Sequence, residues 1–517
     1  MYLTQGLHRS LQQRPGAEAV REKGRSLTFA QYGDRVARLA AGLRALGVND
    51  GDRVAMYSLN SGRYLEYFLA VPWAGAVLNP VNIRWSVAEV VYSFKDSGTS
   101  VLIVDDAFKD AGARAAAESQ TVRHVIYAGD GPVPDGMLSY EALIEQHAPM
   151  TDAHRHGDDL AGIFYTGGTT GFPKGVMLSH ANLISSSHSL LLNGSYSGSG
   201  RYVHVMPMFH LADFAAFVGV TVSGATNVVV SSFDPGGLME TVARERVTEV
   251  LLAPTMIQMC LDWLDGNPGR AAQLDLSSLV AFAYGASPMS QALLARARAR
   301  FPKASFRQGY GMTELAPAAC VLMPEYHTDE HAEGKMRSVG QPMATLEVKI
   351  VDAEGNEVPR GTVGEIAARG PNVMLGYWNK PEETAKAIRN GWMHTGDGGY
   401  MDEDGFIYLV DRIKDMIISG GENVYSAEVE NALASHPAVA QSAVIGVPHE
   451  KWGESVHAVI VLKPGASAEA DGIQAHCRER IASYKIPRSV EFRDALPMSG
   501  VGKVLKHELR KAYWPAK

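Results

Sequence analysis

The sequence has 517 residues, of which 46% are hydrophobic and 20% are charged. These fractions exclude a disordered, collagen-like or coiled-coil chain, and the length predicts more than one domain. A formal net charge of −8 predicts no nucleic acid partner, so anionic ligands must be bound locally. The sequence contains neither a secretory signal nor an uninterrupted apolar run of about eighteen residues, which predicts no stable membrane insertion and a cytoplasmic protein.

The expected secondary structure changes along the chain. Up to about residue 340, short apolar runs alternate with helical stretches rich in Ala, Leu and Arg, which predicts α/β layers around buried sheets. The runs are residues 101–104, 125–127, 228–230 and 250–252. Residues 345–410 alternate polar and apolar side chains between turns, which predicts an antiparallel, β-rich subdomain. A strand-like run at 416–418 and a helical pattern at 426–433 predict a small α+β domain.

The cysteines give no sign of a metal site or a disulfide framework. Cys260, Cys320 and Cys477 are far apart and lack the spacing of zinc ligands. We therefore expect them to be buried, reduced thiols in a reducing compartment.

The strongest motif is glycine-rich and follows an apolar run at residues 160–164. Residues 165–175 read Tyr-Thr-Gly-Gly-Thr-Thr-Gly-Phe-Pro-Lys-Gly. Such a loop lets backbone N–H groups and threonine hydroxyls approach phosphate oxygens while Lys174 neutralises charge, which predicts a triphosphate site. Pro173 and Gly175 break the spacing of a Walker loop and disfavour a P-loop NTPase. A flexible surface loop is the alternative for a bare glycine-rich run, and the threonines and lysine argue against it.

This segment resembles the phosphate loop of the adenylate-forming enzymes, which include acyl- and aryl-CoA synthetases, peptide-synthetase adenylation domains and beetle luciferases. Further motifs of that superfamily follow in its order, at residues 206–210, 284–288, 308–314, 364–370, 376–378, 392–397, 411–412 and 497–506. Taken singly, His210 is more typical of a core or surface histidine, and Lys503 of a solvated basic tail. Their shared order, from about residue 10 to residue 511, identifies the chain as a member of this superfamily, with the fatty-acid-CoA ligases as its nearest resemblance.

The resemblance implies an α/β fold in two parts. A large N-terminal domain, residues 1–411, combines layered sheets and helices with the β-rich subdomain and binds ATP and the acid. A small, mobile α+β domain, residues 412–517, carries the catalytic lysine. It turns about a hinge at Lys414, which allows one site to serve two half-reactions.

The resemblance also assigns roles to individual residues. Those expected to bind the nucleotide are Thr166, Gly167, Gly168, Thr169, Thr170, Gly171, Lys174, Gly285, Ala286, Ser287, Gly309, Tyr310, Gly311, Asp397 and Arg412. His210 borders the acyl pocket, Thr313 contacts the α-phosphate, and Glu314 binds Mg²⁺, for which one carboxylate suffices beside substrate phosphates. Lys503 is the expected catalytic lysine, because an ammonium can bridge the substrate carboxylate and the α-phosphate. The tunnel for coenzyme A is expected along Gly420, Gly421 and Glu422.

Two positions depart from the family pattern. Gly167 stands where a Ser is usual, which removes one hydroxyl donor from the phosphate loop. Ser426 replaces a usual Pro and is expected to act as the N-cap of the helix that follows. Neither position carries a residue that the chemistry requires.

The implied activity is that of an ATP-dependent acid-CoA ligase. A carboxylic acid and ATP give acyl-AMP and pyrophosphate, and the thiol of coenzyme A then gives acyl-CoA and AMP. A medium- or long-chain fatty acid or a related hydrophobic acid is expected, and aryl acids stay open. The alternatives are a stand-alone ligase that loads a carrier protein and a silent nucleotide-binding protein, which the joint presence of Lys174, Glu314, Asp397 and Lys503 disfavours. Nothing in the sequence marks luciferase-like oxygen chemistry, and a homodimer is left open.

Overall fold

A computed structural model describes residues 1–166, 173–287, 289–331, 334–412, 415–419, 422–498 and 504–514. These residues form four β-sheets with helices packed between and around them. The first three sheets lie in the part of the chain before residue 413, and the fourth belongs to a separate C-terminal domain. The mixed α/β class is therefore confirmed, whereas the division between residues 411 and 412 stays a prediction.

The first sheet carries parallel strands at its centre and runs in the order β16-β15-β14-β13-β12-β10-β11-β1-β2. Its strands are β1 Glu18–Glu22, β2 Arg25–Thr28, β10 Arg201–His204, β11 Thr226–Val229, β12 Glu249–Leu252, β13 Ala281–Gly285, β14 Ser305–Gly311, β15 Ala318–Leu322 and β16 Gln341–Pro342. The apolar runs at 228–230 and 250–252 fall on β11 and β12, which confirms them as strands.

The second sheet runs in the order β19-β9-β8-β4-β3-β5-β6-β7. Its strands are β3 Arg53–Tyr57, β4 Val77–Pro80, β5 Thr99–Val104, β6 His124–Tyr127, β7 Leu138–Ser139, β8 Leu160–Thr166, β9 Lys174–Ser179 and β19 Gly376–Tyr377. The runs at 101–104 and 125–127 are confirmed as β5 and β6. Every side chain of β5 is buried, as expected for a parallel strand covered on both faces.

Helices cover both sheets and bury their apolar sides against them. The helices before residue 412 are α1 Gln5–Gln13, α2 Phe29–Ala45, α3 Gly62–Trp73, α4 Val87–Ser97, α5 Lys109–Ser119, α6 Tyr140–Gln146, α7 His180–Leu192, α8 Leu211–Ser223, α9 Pro235–Glu245, α10 Pro254–Gly266, α11 Pro268–Ala271, α12 Gln291–Arg300 and α13 Pro381–Ala387. A capping box between Ser179 and Asn182 begins α7 directly after β9. The direction of this helix is therefore set by the strand that follows the phosphate loop.

The β-rich part is antiparallel, as its alternating sequence predicts. Its strands are β17 Glu347–Val351, β18 Gly364–Arg369, β20 Ile388–Arg389, β21 Trp392–Met401 and β22 Ile407–Arg412. β18 pairs with β17 and β21, and β22 lies on the other side of β21. The motif at residues 392–397 lies in β21, which pairs with β22.

The C-terminal domain has its own sheet and core. Its elements are β23 Ile417–Ser419, β24 Glu422–Val424, α14 Ser426–Ala434, β25 Val439–His449, β26 Gly453–Leu462, α15 Ala470–Arg478, β27 Ser489–Phe492 and α16 Lys506–Arg510. The helix predicted at 426–433 is confirmed as α14, but the expected role of Ser426 is wrong. Tyr425 is the N-cap, so Ser426 is already the first helical residue, and its hydroxyl donates to Asp411 Oδ2 at 2.6 Å.

The three cysteines are buried and unbridged, as predicted. Burial raises the pKa of the Cys260 thiol to about 12, so it is not a reactive thiolate near neutral pH. Within the described part of the chain, no helix has the length and apolar character needed to span a bilayer.

Candidate active site

The phosphate motif lies at one end of a β-hairpin. β8 and β9 pair antiparallel, and their register places Thr166 opposite Lys174. The predicted residues between them, Gly167, Gly168, Thr169, Thr170 and Gly171, lie outside the described residues. The hairpin therefore holds the two described ends of the motif next to each other.

Lys174 is paired with an acid that the sequence analysis missed. Its Nζ lies 2.6 Å from Glu383 Oε2 on α13 and 5.1 Å from the ring centre of Tyr377. Hydrogen bonds from Lys174 and Lys386 lower the pKa of the Glu383 carboxyl to about 2. Because 209 positions separate Lys174 from Glu383, no local sequence pattern could have revealed this contact.

Tyr377, whose ring faces Lys174, also contacts Glu314 through its hydroxyl group. Glu314 belongs to a short 3-10 turn, Thr313–Leu315, and its side chain is buried. The Tyr377 hydroxyl donates to Glu314 Oε1 at 2.8 Å, and burial raises the pKa of that hydroxyl well above its ordinary value, as the Glu314 charge also does. Lys174, Tyr377 and Glu314 thus form a row of polar groups, called here the Lys174–Glu314 row.

Tyr310 and Asp397, both assigned to nucleotide binding, contact each other directly. The Tyr310 hydroxyl at the end of β14 donates to Asp397 Oδ2 in β21 at 2.7 Å, and both residues are buried. Burial, followed by the Asp397 charge, raises the pKa of Tyr310 well above its usual range. Asp397 is also the Cα partner of Arg412 across the β21–β22 pair, and only the backbone of Arg412 is described.

Glycines are required where β13 and β14 end side by side. Gly285 pairs with Gly309, and a Cβ on Gly285 would lie 2.4 Å from the Gly309 carbonyl oxygen. A Cβ on Gly311 would lie 1.8 Å from the Pro317 carbonyl oxygen. Any side chain at either position would therefore displace backbone, which explains Gly285 and Gly311 in physical terms. Ala286, the next residue after β13, has a left-handed φ of +67° and is exposed.

The predicted acyl-pocket residue His210 immediately precedes α8. Its ring lies 4.4 Å from the ring of Phe209, which is buried, whereas His210 itself is partly exposed. Thr313 and Ser287 are likewise partly exposed, and Glu422 in β24 is exposed. Lys414, Gly420, Gly421 and Lys503 lie outside the described residues.

A buried polar triad that the sequence analysis also missed fixes the start of α8. His204 Nδ1 lies 2.8 Å from Asp213 Oδ2, and His204 Nε2 lies 2.9 Å from Asn227 Oδ1. The Asn227 amide nitrogen donates to the Ala19 carbonyl, so its oxygen faces the ring as an acceptor. The His204 ring therefore links Asp213 of α8 to Asn227 of β11 inside the protein.

Comparisons with known proteins show to which family the chain belongs. Residues 7–378 match the family described as AMP-binding enzyme, and residues 428–503 match the family described as AMP-binding enzyme C-terminal domain. A feruloyl-CoA synthase from Amycolatopsis is 42% identical over 96% of this chain and 96% of that protein. A fatty acid-[acyl-carrier-protein] ligase, ScoC, from Streptomyces coeruleorubidus is 35% identical over 97% of this chain and 95% of that protein.

Solved structures agree as well. ATP-bound MatB from Rhodopseudomonas palustris is 31% identical and superposes with a TM-score of 0.88 over 99% of each chain. The match extends over both the large part of the chain and the C-terminal domain. The chain is therefore an enzyme that belongs to the AMP-binding family, the adenylate-forming superfamily that its motifs resemble.

Proposed function

We propose that this protein is an AMP-forming acid-CoA ligase that activates a hydrophobic acid. The observation that carries the proposal is the Lys174–Glu314 row at the end of the phosphate hairpin, which supplies a cation, a hydroxyl and a buried carboxylate for the nucleotide phosphates. The carboxylate of the acid attacks the α-phosphorus of ATP, pyrophosphate leaves, and the thiol of coenzyme A then displaces AMP.

The residues divide between the parts of the nucleotide. Residues 166–171 and Lys174 take the phosphates, the loop of Gly285, Ala286 and Ser287 takes the adenine, and Asp397 and Arg412 take the ribose hydroxyls. One carboxylate has two acceptor oxygens, so Asp397 can accept from both hydroxyls of a ribose diol. Tyr310 holds that carboxylate in place through the hydrogen bond at 2.7 Å.

A magnesium ion fits the chemistry of this site. Glu314 is a buried carboxylate in a row with Lys174, and Mg²⁺ commonly takes one or two carboxylates together with substrate phosphates. Glu314 would hold the ion, which would neutralise phosphate charge when bound. Tyr377 orients Glu314, Lys174 provides a further positive charge, and Thr313 provides a hydroxyl donor to the α-phosphate.

The second half-reaction uses coenzyme A in this proposal. Gly420, Gly421 and Glu422 line the path of its thiol after the C-terminal domain has turned at Lys414 and withdrawn Lys503. The name of the ScoC relative supports a second candidate acceptor, an acyl carrier protein. A thioester formed with free coenzyme A would identify coenzyme A as the acceptor, and the absence of that product would favour the carrier protein.

An aromatic acid of the hydroxycinnamate type is the first candidate substrate. The feruloyl-CoA synthase relative supports it, at 42% identity over 96% of both chains. A medium- or long-chain fatty acid is the second candidate, supported by the 35% identity to a fatty acid ligase. The partly exposed His210 and the neighbouring Phe209 are suited to border either acyl group.

The test is acid-dependent pyrophosphate release from ATP with a panel of aryl-propenoic and fatty acids, with and without coenzyme A. We expect release with at least one class of acid, faster turnover when coenzyme A is present, and a thioester product. Release without any dependence on coenzyme A, but with transfer to a carrier protein, would favour the second acceptor. No release with any acid would contradict the proposal.

Removing the acid that holds Lys174 tests its role toward phosphate. Glu383→Gln is expected to lower the KM for ATP by no more than about fivefold at unchanged kcat, because Lys174 can then bind phosphate without first giving up a partly exposed ion pair. The pKa of Glu383 is about 2, so the pair is complete above the ordinary carboxyl pKa and is lost only as the pH falls toward 2. The effect is therefore expected to be the same between about pH 6 and pH 8.

The neighbouring Glu382→Gln on the same helix is the matched control, and its KM is expected to equal that of the unmodified enzyme. An unchanged or higher KM for ATP in Glu383→Gln would show that Glu383 and the nucleotide do not compete for Lys174.

Replacing Asp397, the carboxylate proposed to bind the ribose, is expected to have a larger kinetic effect with ATP than Glu383→Gln. Asp397→Ala should lower kcat/KM for ATP about 10- to 150-fold, the equivalent of about 1.5–3 kcal/mol for hydrogen bonds to a charged group. Steady-state kinetics measures this, and Asp404→Ala, an exposed acid of the same subdomain, serves as the control. A change of less than about threefold in Asp397→Ala would place the ribose elsewhere.

A further inference from the structure

Three side chains of the metal-ligating kind meet beside the first helix. His8 belongs to α1, whereas Asp152 and His154 belong to the segment between α6 and β8. Each side chain offers one ligand atom, and these two ring nitrogens and one carboxylate oxygen all lie within 4.8 Å of one another. The three residues are called here the His8–His154 cluster. Because 144 positions separate His8 from Asp152, only the fold brings the cluster together.

Asp152 is the centre of the cluster. Its side chain is 1% exposed, and its Oδ2 lies 2.8 Å from His8 Nε2 and 3.8 Å from His154 Nδ1. The Thr4 hydroxyl donates to the same oxygen at 2.5 Å, and the His154 backbone N–H donates to Oδ1 at 2.8 Å. Carboxylates that bind metals are usually fixed by hydrogen bonds of this kind. Asp152 is therefore held in place with Oδ2 close to both rings.

The two histidine rings are positioned by packing and are still open to solvent. The His8 ring stacks on Trp73 with the ring centres 4.6 Å apart, and the His154 ring stacks on His8 at 5.3 Å. The side chains of His8 and His154 are 29% and 54% exposed, so an ion can reach them from solvent. His154 also has a left-handed φ of +52°, which is uncommon for a residue with a side chain.

The spacing of the ligand atoms suits a small transition-metal ion. Bonds of about 2.0–2.2 Å in a tetrahedral zinc site place the ligand atoms about 3.3–3.5 Å apart. The two distances from Asp152 Oδ2, 2.8 and 3.8 Å, lie on either side of that value. Shifts of about 0.5 Å would close the site, and the exposed ring of His154 is free to make them. Imidazole nitrogens favour zinc, nickel or copper, whereas Mg²⁺ takes oxygen ligands.

We propose that the His8–His154 cluster binds one Zn²⁺ or a similar divalent transition-metal ion, with water completing the coordination. The ion takes the place of the proton between His8 and Asp152, so that proton is released on binding. Bound metal ties α1 to the segment that leads into β8 and raises the free energy of unfolding, because the unfolded chain lacks the site. The cluster shares no residue with the Lys174–Glu314 row and is separate from the magnesium site proposed there.

The test is equilibrium dialysis of the full chain, without a polyhistidine tag, against Zn²⁺ with excess Mg²⁺ and no nucleotide. We expect one tightly bound zinc per chain and a higher midpoint of thermal unfolding when zinc is present. His154→Asn removes the most exposed ligand, and Asn tolerates a left-handed φ. It is expected to weaken zinc binding at least tenfold, since loss of even an outer partner of a metal site costs about 10–100-fold.

The matched control is His156→Asn, an exposed histidine two positions along the chain, and its zinc affinity is expected to equal that of the unmodified protein. Equal unfolding midpoints of both variants without zinc would show that neither is misfolded. The proposal is overturned if the unmodified protein binds no stoichiometric zinc or if Mg²⁺ displaces it. Equal affinities in His154→Asn and His156→Asn would also overturn it, because the zinc would then be adventitious on surface histidines.

Discussion

Lys503→Ala is expected to lower the rate of acyl-adenylate formation about 10²- to 10³-fold, the usual cost of removing one preorganised donor at a developing negative charge. Two anions, the acid carboxylate and the α-phosphate, must approach each other, and an ammonium between them offsets that repulsion. Single-turnover pyrophosphate release measures the effect. The KM for ATP should change little, because Lys174 and Asp397 stay in place.

The second half-reaction distinguishes a catalytic loss from misfolding. If Lys503 acts only in adenylation, the variant should still convert synthetic acyl-adenylate and coenzyme A to the thioester at a near-normal rate. Lys511→Ala is the matched control, since Lys511 is exposed and pairs only with Glu508 among the described residues. Equal losses in both half-reactions, or in both variants, would contradict a specific role for Lys503.

Asp213→Ala is expected to destabilise the large domain by about 1–3 kcal/mol, because it leaves a buried ring nitrogen of His204 without its hydrogen-bond partner. Both side chains are completely buried, so water cannot replace the lost carboxylate. Equilibrium urea unfolding measures this as a lower midpoint. Asp213→Asn, which keeps a polar side chain of the same shape beside the ring, should destabilise the domain less than Asp213→Ala.

An exposed ion pair provides the contrast. Asp265→Ala removes a partner of Arg296 on the surface, where both side chains meet solvent, and its effect is expected to stay within about 0.5 kcal/mol. If Asp213→Ala cost no more than this control, the buried contact between His204 and Asp213 would not stabilise the domain.

The fold was predictable where its signal is local. Apolar runs of β-branched residues predicted β5, β6, β11 and β12, because a strand buried on both faces needs such side chains along its whole length. The alternating pattern near Glu347–Val351 predicted antiparallel structure, and β17 does pair antiparallel with β18, although Ile350 and Val351 are both buried. Helix starts were less predictable, and Ser426 shows why, because the nearby Asp411 carboxylate binds its hydroxyl.

The candidate site was predictable only as far as its motifs extend. The motifs named Lys174, Glu314, Tyr310 and Asp397, yet the direct contact between Tyr310 and Asp397 appears only in three dimensions. Partners that belong to no motif were missed, among them Glu383. Such a residue is one acid among many on a helix surface, and only the fold brings it to within hydrogen-bond distance of Lys174.

The pairing of β9 with β19 has a consequence for how the protein is made. β9 is covered on one side by β8, which is already synthesised, but on the other side by Gly376–Tyr377, about two hundred residues later. At about 5–20 residues per second, the covering strand leaves the ribosome about 10–40 s after β9. During that interval the nascent chain carries an open sheet edge beside its phosphate loop, which invites pairing with other chains. Premature termination before residue 376 should therefore yield an insoluble product that binds no nucleotide, and chaperone demand should be greatest in that window.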